Sequence, residues 1–224
     1  MVLTTGRIND TDFTKGEAST FWNMIYQYGY IEIKCLLSEP PSHVGWWMNG
    51  AGTGGSSFIN RFGRENRGCM TEYDLLENYG RPDYYASAIH HWWSGTSVKD
   101  SAHVSLADSY GFGTKAQTYV LEEGETDLYR DYHIFTFLCE NDRLIFAFDG
   151  VKYYEYINFD YYKDRMPNYI ILGQGMGNRD YGVKYDITKH GDYYETLIDY
   201  VRIYQQKNMG SVLKYAYDET NYAQ

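Results

Sequence analysis

Residues 133–150 read HIFTFLCENDRLIFAFDG, and this stretch decides the fold class. Its two apolar runs, 133–138 and 143–148, have the composition and the period of β-strands. Cys139-Glu140-Asn141-Asp142 separates the runs and Asp149-Gly150 follows the second one, and both segments have the chemistry of hairpin turns. Strands joined by such short turns run antiparallel, so the stretch predicts a locally connected antiparallel sheet.

Three further segments, 30–36, 86–92 and 198–204, have the same strand-like pattern. No segment has a sustained 3.6-residue apolar period of helical length, and many glycines and only four prolines punctuate the strands. The chain is therefore predicted to be all-β, most simply a sandwich of two antiparallel sheets.

The bulk properties limit the partners of the protein. A chain of 224 residues fits one all-β domain. Its formal charge of -10 argues against nucleic acid or an anionic membrane surface as a partner, and favours a neutral ligand. No apolar run is long enough for a membrane span, and residues 1–6 lack the basic and apolar regions of a signal peptide. We expect a monomer.

Aromatic residues make up 18% of the chain, and 26 of them are tyrosines. Tyrosine and tryptophan offer a flat apolar face with a polar tip, which suits stacking on sugar rings, although aromatic residues also favour strands in general. The three cysteines, Cys35, Cys69 and Cys139, contain no CxxC pair, so we expect neither a zinc cluster nor a dense disulfide framework.

The most informative chemistry lies in the acidic run Thr71-Glu72-Tyr73-Asp74-Leu75-Leu76-Glu77-Asn78. In a regular strand Glu72 and Asp74 share a face and Glu77 points away from it. A β-bulge at Leu75-Leu76 shifts the register by one residue and returns Glu77 to that face. We therefore predict a bulged strand with three carboxyl groups on one surface.

Three like charges on one face are costly in a purely structural strand, which indicates a functional site. Two functions fit: metal binding by oxygen ligands, and acid/base chemistry with a nucleophilic carboxylate. Retaining glycosidases use two carboxyl groups about 5 to 5.5 Å apart. In that chemistry Glu72 attacks the anomeric carbon, Glu77 protonates the leaving oxygen, and Asp74 assists between them.

The order of segments resembles glycoside hydrolase family 16, and the resemblance extends over most of the chain. Its segments are TTGRI (4–8), YGYIEIK (28–34), GWWM (45–48), EYDLLE (72–77), IHHW (89–92), DYHIFTF with FAFDG (131–137, 146–150) and IDYVRIY (198–204). The resemblance implies a β-jelly-roll sandwich related to concanavalin A, with a concave cleft. It also implies Glu72 as nucleophile, Asp74 as assistant and Glu77 as general acid/base.

The bulged form of the motif is typical of the family's β-1,3-glucan and galactan enzymes. The resemblance thus favours an endo-acting hydrolase of β-1,3- or mixed-linkage glucan, with agar, carrageenan or porphyran-type galactans as the alternative. A sugar acceptor in place of water would make the same motif a transglycosylase. A polymeric substrate implies an extracellular or periplasmic location. No organic cofactor is required.

Tryptophan and histidine residues near the motif are the candidate substrate ligands. The family often has a His-aromatic strand beside the acid/base, which indicates that His90 and Trp92 line the cleft. Adjacent strand residues face opposite sides, so one of Trp46 and Trp47 is predicted to be in the core. We expect Trp47 to be the one that lines the cleft and stacks on a pyranose.

The resemblance also implies a structural calcium ion held by a carboxyl group of the last family strand, here Asp199. Residues 1–224 are predicted to form one catalytic domain in which the family's usual first strands are missing. Residues 205–224 form a C-terminal extension, which is expected to supply a replacement strand unless the chain is truncated or permuted. The rival from another class is a non-catalytic, lectin-like glycan-binding sandwich, because a fold does not determine a function.

Overall fold

The computed structural model describes residues 1–10, 12–21, 23–26, 28–50, 69–93, 102–105, 117–120, 127–140, 143–157, 168–176, 191–205, 207 and 212–214. All regular elements in these ranges are β-strands, which confirms the all-β prediction. They are β1 (Val2–Gly6), β2 (Gly16–Ser19), β3 (Met24–Tyr26), β4 (Gly29–Leu36), β5 (Ser42–Gly50), β6 (Cys69–Asn78), β7 (Tyr84–Trp93), β8 (Ala102–Ser105), β9 (Gln117–Val120), β10 (His133–Cys139), β11 (Arg143–Phe148), β12 (Val151–Ile157), β13 (Asn168–Met176), β14 (Tyr193–Tyr204) and β15 (Val212–Lys214). The same ranges contain no helix that is long and apolar enough to cross a membrane.

The described strands form two antiparallel sheets. One has the order β1-β14-β4-β10-β11-β12, and the other has the order β15-β3-β13-β5-β6-β7-β8. Two short strands complete the second sheet, because β2 pairs with β13 and β9 pairs with β7. We call these layers the six-stranded and the nine-stranded sheet. The acidic strand β6 lies inside the nine-stranded sheet, with β5 and β7 as its neighbours.

The stretch that predicted the fold forms consecutive hairpins. Strand β10 pairs with β11, and β11 pairs with β12 across the turn at Asp149-Gly150. Both turn residues have positive φ, 45° for Asp149 and 82° for Gly150. A two-residue turn with positive φ at both positions matches the right-handed twist of its strands, and Asp-Gly is a preferred pair for it. The antiparallel connection predicted from this sequence is confirmed.

Alternating side chains of both sheets build the core. Phe135 and Phe137 of β10 are at most 1% exposed, as is Trp46 of β5. The Trp46 and Phe135 rings meet edge to face with centroids 6.0 Å apart, and Tyr73 of β6 lies 5.5 Å from Phe137. Such aromatic contacts join the two sheets, and they hold β5 and β6 by their inner faces.

A short strand from the C-terminal segment lies at the edge of the nine-stranded sheet. Within residues 205–224, strand β15 pairs antiparallel with β3, with Leu213 opposite Ile25. At the other end of the chain, β1 pairs with β14 as the edge of the six-stranded sheet. The two ends of the sequence therefore contribute strands to different layers.

Candidate active site on strand β6

The register of β6 contains one extra residue after Asp74. On β5, Trp46 lies opposite Leu76. The next residue, Trp47, lies opposite Asp74 rather than Leu75. The register with β7 shifts over the same interval. Two residues facing one step of the partner strand define a β-bulge, so the bulge predicted at Leu75-Leu76 is confirmed.

The bulge gives the three acidic residues a common face. Directly opposed residues of antiparallel strands have side chains on the same side of the sheet. The acidic residues lie opposite alternate positions of β5: Glu72 opposite Asn49, Asp74 opposite Trp47 and Glu77 opposite Gly45. The intervening Leu75 and Leu76 are both buried in the core. Thus a five-residue offset brings Glu72 and Glu77 to one side of the sheet.

A serine and a tyrosine hold the bulge from the core side. Ser87 of β7, which is fully buried, donates from Oγ to the carbonyl oxygen of Leu75 over 2.8 Å. Its oxygen also lies 2.6 Å from the hydroxyl of Tyr153 on β12. Because the single hydroxyl proton of Ser87 is used on Leu75, Tyr153 is the donor in the second bond. The bulge is therefore anchored to the six-stranded sheet.

Asp74 is the most buried member of the trio. It is 4% exposed, whereas Glu72 and Glu77 are partly exposed. A carboxyl group at such a position needs partners, because burial of a charge without them is costly. This contrast between one buried and two accessible carboxyl groups fits an assisting role for Asp74 and direct contact with a ligand for the two glutamates.

Asn49 connects Glu72 to Trp47. With its amide oriented so that both ends are satisfied, Nδ2 donates to Glu72 Oε2 over 3.1 Å and Oδ1 accepts from Trp47 Nε1 over 3.1 Å. These three residues share the outer face of the sheet. Asn49 thus bridges the two side chains and orients the Glu72 carboxylate relative to the Trp47 indole.

Glu77 has its own aromatic neighbour. The hydroxyl of Tyr79 donates to Glu77 Oε1 over 2.5 Å. The face of the Tyr79 ring is stacked on the His43 ring, with centroids 4.5 Å apart and planes 6° from parallel. Tyr79 lies one residue beyond the end of β6, and the hydrogen bond shows that its hydroxyl is on the same side of the sheet as the Glu77 carboxyl group.

A cavity of about 350 Å³ opens on this face of the sheet. Its lining includes Trp47, Glu77 and Tyr79. The indole of Trp47 lies over two glycines, because a Cβ atom added at Gly173 would be 3.0 Å from its Cζ3 atom and one at Gly45 would be 3.6 Å from it. The glycines let the indole lie close to the sheet, where its upper face can meet a ligand.

The structure tests the prediction for Trp47 but not those for His90 and Trp92. The structure places Trp46 in the core and Trp47 at the cavity, as the sequence analysis expected. The backbone of His90 pairs opposite Glu72, and that of Trp92 pairs opposite Met70. The side chains of His90 and Trp92 lie outside the described residues, so their proposed contacts with substrate stay predictions.

The calcium site that the resemblance implied at Asp199 stays a prediction. Asp199 is the extra residue where β14 shifts its register against β4, and its carboxylate lies 3.0 Å from Lys34 Nζ. A calcium ion needs several oxygen ligands. Among the described residues, no group of three or more His, Cys, Asp or Glu side chains could hold a metal. The calcium expectation therefore gains no support here.

Asn49, Tyr79 and His43 are site residues that the sequence analysis missed. A signal for two of them was available, because Asn49 follows Trp47 by two positions and Tyr79 follows Glu77 by two positions. In a strand such neighbours share a face. His43 precedes Trp47 by two such steps, but its stacking on Tyr79 depends on how β5 and β6 pair.

The two antiparallel layers and their strand order define a β-jelly-roll sandwich. More closely, the fold is that of glycoside hydrolase family 16, to which the similar solved structures point. No protein-family model matches the sequence, and the comparison with curated proteins gave no match.

Three solved structures illustrate the similarity. The laminarinase catalytic domain from Thermotoga maritima has a TM-score of 0.64 at 22% identity, with 92% of this chain and 78% of that chain covered. The kappa-carrageenase from Zobellia galactanivorans has a TM-score of 0.65 at 15% identity, covering 90% and 77%. The glycoside hydrolase family 16 endo-glucanase from Bacteroides ovatus has a TM-score of 0.62 at 17% identity, covering 91% and 80%.

Proposed function

We propose that the protein is an endo-acting retaining glycoside hydrolase that cleaves internal β-linkages of a polysaccharide. The observation that carries this proposal is the bulge, which brings Glu72, Asp74 and Glu77 to one face of the sheet, where Glu77 lines the cavity. The fold shared with glycan hydrolases supports the same conclusion.

In the proposed reaction Glu72 attacks the anomeric carbon and forms a covalent glycosyl-enzyme, while Glu77 protonates the departing glycosidic oxygen. Glu77, now ionised, then removes a proton from water, and the resulting attack breaks the bond to Glu72. Asp74 remains between them and orients Glu72. Every proton and electron pair is accounted for by these residues and water, so the reaction needs no organic cofactor.

We infer that the substrate is a β-1,3- or mixed-linkage glucan. The formal charge of -10 suits a neutral glycan better than a sulfated one. A β-galactan is the second candidate, because a kappa-carrageenase is among the similar structures. Transfer to a sugar acceptor would use the same residues. A polysaccharide substrate also places the enzyme outside the cell or in the periplasm.

The test is an assay of reducing ends released from laminarin, lichenan, agarose and kappa-carrageenan by the wild type and by Glu72→Gln. We expect release from one glucan by the wild type and loss of release in the variant. The anomer formed first, followed by ¹H NMR, should retain the configuration of the substrate. Binding without release by the wild type would instead identify a lectin-like protein, and an inverted product would exclude double displacement.

A further inference from the structure

We propose that Tyr79 is a positioning residue of Glu77 that decides which carboxyl oxygen carries the catalytic proton; this inference rests on the proposed function. The phenol of tyrosine keeps its proton far above neutral pH, so at Glu77 Oε1 it acts as a donor. With Oε1 occupied as an acceptor, the acidic proton of Glu77 resides on Oε2. That oxygen is then the one that donates the proton to the leaving group.

The turn that carries Tyr79 is fixed by the preceding residue. Asn78 is fully buried, and its amide donates to the carbonyl oxygens of Arg81 at 2.7 Å and Tyr84 at 2.9 Å. Its Oδ1 accepts from the backbone of Gly80 and from the hydroxyl of Tyr129, both at 3.0 Å. Four hydrogen bonds therefore set the direction of the chain just after β6.

The ring of Tyr79 is also held by stacking on a neighbouring ring. His43 stacks flat against it, and both rings line the cavity with Glu77. A parallel stack restricts rotation about the Tyr79 side-chain torsions, and a rigid donor orients a carboxyl group better than water does. Pre-organisation of this kind contributes to catalysis because the geometry is set before the reaction starts.

The hydrogen bond has a predictable electrostatic effect. A donor to a carboxylate favours the ionised form, so removal of the Tyr79 hydroxyl should raise the pKa of Glu77. Other charged or titratable groups share the site: Glu72 and Asp74 on β6, His43 on β5, and Lys15 and Glu17 at the rim of the cavity. They are the same in the wild type and in a Tyr79→Phe variant, so the difference between the two isolates the hydroxyl.

The experiment compares the wild type, Tyr79→Phe and Tyr30→Phe on laminarin or the glycan of the panel that the wild type cleaves. Tyr30 is the matched control, because its hydroxyl donates to Glu32 two residues away over 3.0 Å, on the six-stranded sheet. We expect Tyr79→Phe to lower kcat by about tenfold to a hundredfold with little change in KM, which corresponds to one hydrogen bond to a charged group. The alkaline limb of its pH profile should move to higher pH, whereas Tyr30→Phe should match the wild type.

A second readout does not depend on turnover. The ¹³C resonance of the Glu77 carboxyl, assigned with Glu77→Gln, is titrated in the wild type and in Tyr79→Phe, and its midpoint should rise in the variant. An active wild type with unchanged kcat, pH profile and midpoint in Tyr79→Phe overturns this inference and leaves the proposed function intact. A wild type that cleaves no glycan overturns the proposed function, and the carboxyl titration then decides the inference.

Discussion

Glu72 and Glu77 lie on the same face of the nine-stranded sheet, although an offset of five residues would put them on opposite faces of a regular strand. The bulge after Asp74 accounts for the difference. Two carboxyl groups with a common face can act on the two ends of one bond, one as nucleophile and one as acid. The assignment of these two roles leads to the first prediction.

Glu77→Ala should lose hydrolysis of the natural glycan by about 10²- to 10⁴-fold, because the leaving oxygen no longer receives a proton. A dinitrophenyl glycoside, whose leaving group needs no proton, should still release dinitrophenolate. Azide should accelerate turnover of this variant and yield a β-glycosyl azide, whereas Glu72→Ala with azide should yield the α anomer. Product NMR distinguishes the anomers, and the exposed Glu195→Ala variant serves as the control.

Asn49→Ala should lower kcat by about tenfold, because Glu72 loses a hydrogen bond that orients its attacking carboxylate. Asn9→Ala is the matched control, since Asn9 donates from Nδ2 to Asp12 over 2.6 Å in an exposed turn. Steady-state kinetics and thermal unfolding of both variants separate orientation from stability. Equal kinetics in the two variants would show that Asn49 does not orient Glu72 for the reaction.

Gly173→Ala should lower kcat/KM by about tenfold, because the added methyl group displaces the Trp47 indole from its position over the sheet. The effect should appear mainly in KM if the indole binds a sugar ring. Gly191→Ala provides the comparison, since its Cβ atom would meet Tyr194 at an ordinary 3.6 Å. Isothermal titration with oligosaccharides measures the binding directly, and unchanged affinity would refute a stacking role for Trp47.

Ser87→Ala should reduce the free energy of unfolding by about 1 to 3 kcal/mol, because it removes the hydroxyl that donates to the Leu75 carbonyl and accepts from Tyr153 in the interior. Tyr153→Phe should cost less, because Ser87 can still donate to Leu75. The loss of kcat should follow the same order if the bulge positions Glu77. Urea unfolding and kinetics on both variants give the ranking, and a reversed order would contradict this account of the bulge.

Alkaline pH should destabilise the protein partly through Tyr153. Burial raises the pKa of this phenol to about 12, whereas in the unfolded chain it titrates near about 10. Between these values the unfolded state releases a proton that the folded state keeps, so the free energy of unfolding falls as pH rises from about 10 to about 12. Tyr153→Phe should show a smaller fall in urea titrations across this window. Tyr200, whose pKa is also raised to about 12, contributes equally to both proteins.

Local patterns in the sequence were enough to predict the strands and the bulge. The hairpins at 133–150 depend on neighbouring residues, and the bulge follows from the parity of the offset between two glutamates. The Ser87–Tyr153 bond joins positions 66 residues apart, and only the packing of two sheets brings them together. The ion pair between Asp199 and Lys34 likewise depends on the pairing of β14 with β4, which the matched motif did not reveal.

Because Ser87 and Tyr153 anchor the bulge, the positioning of the glutamates and the binding of a ligand depend on different sides of the nine-stranded sheet. In the proposed enzyme, contacts within the sandwich position the two glutamates, whereas the glycan would bind from the outer side of the sheet. Changes in the surface around the cavity can then alter the preferred sugar without shifting the reactive groups. Directed evolution of new specificities should therefore succeed with libraries confined to the outer face, provided that Ser87 and Tyr153 are left unchanged.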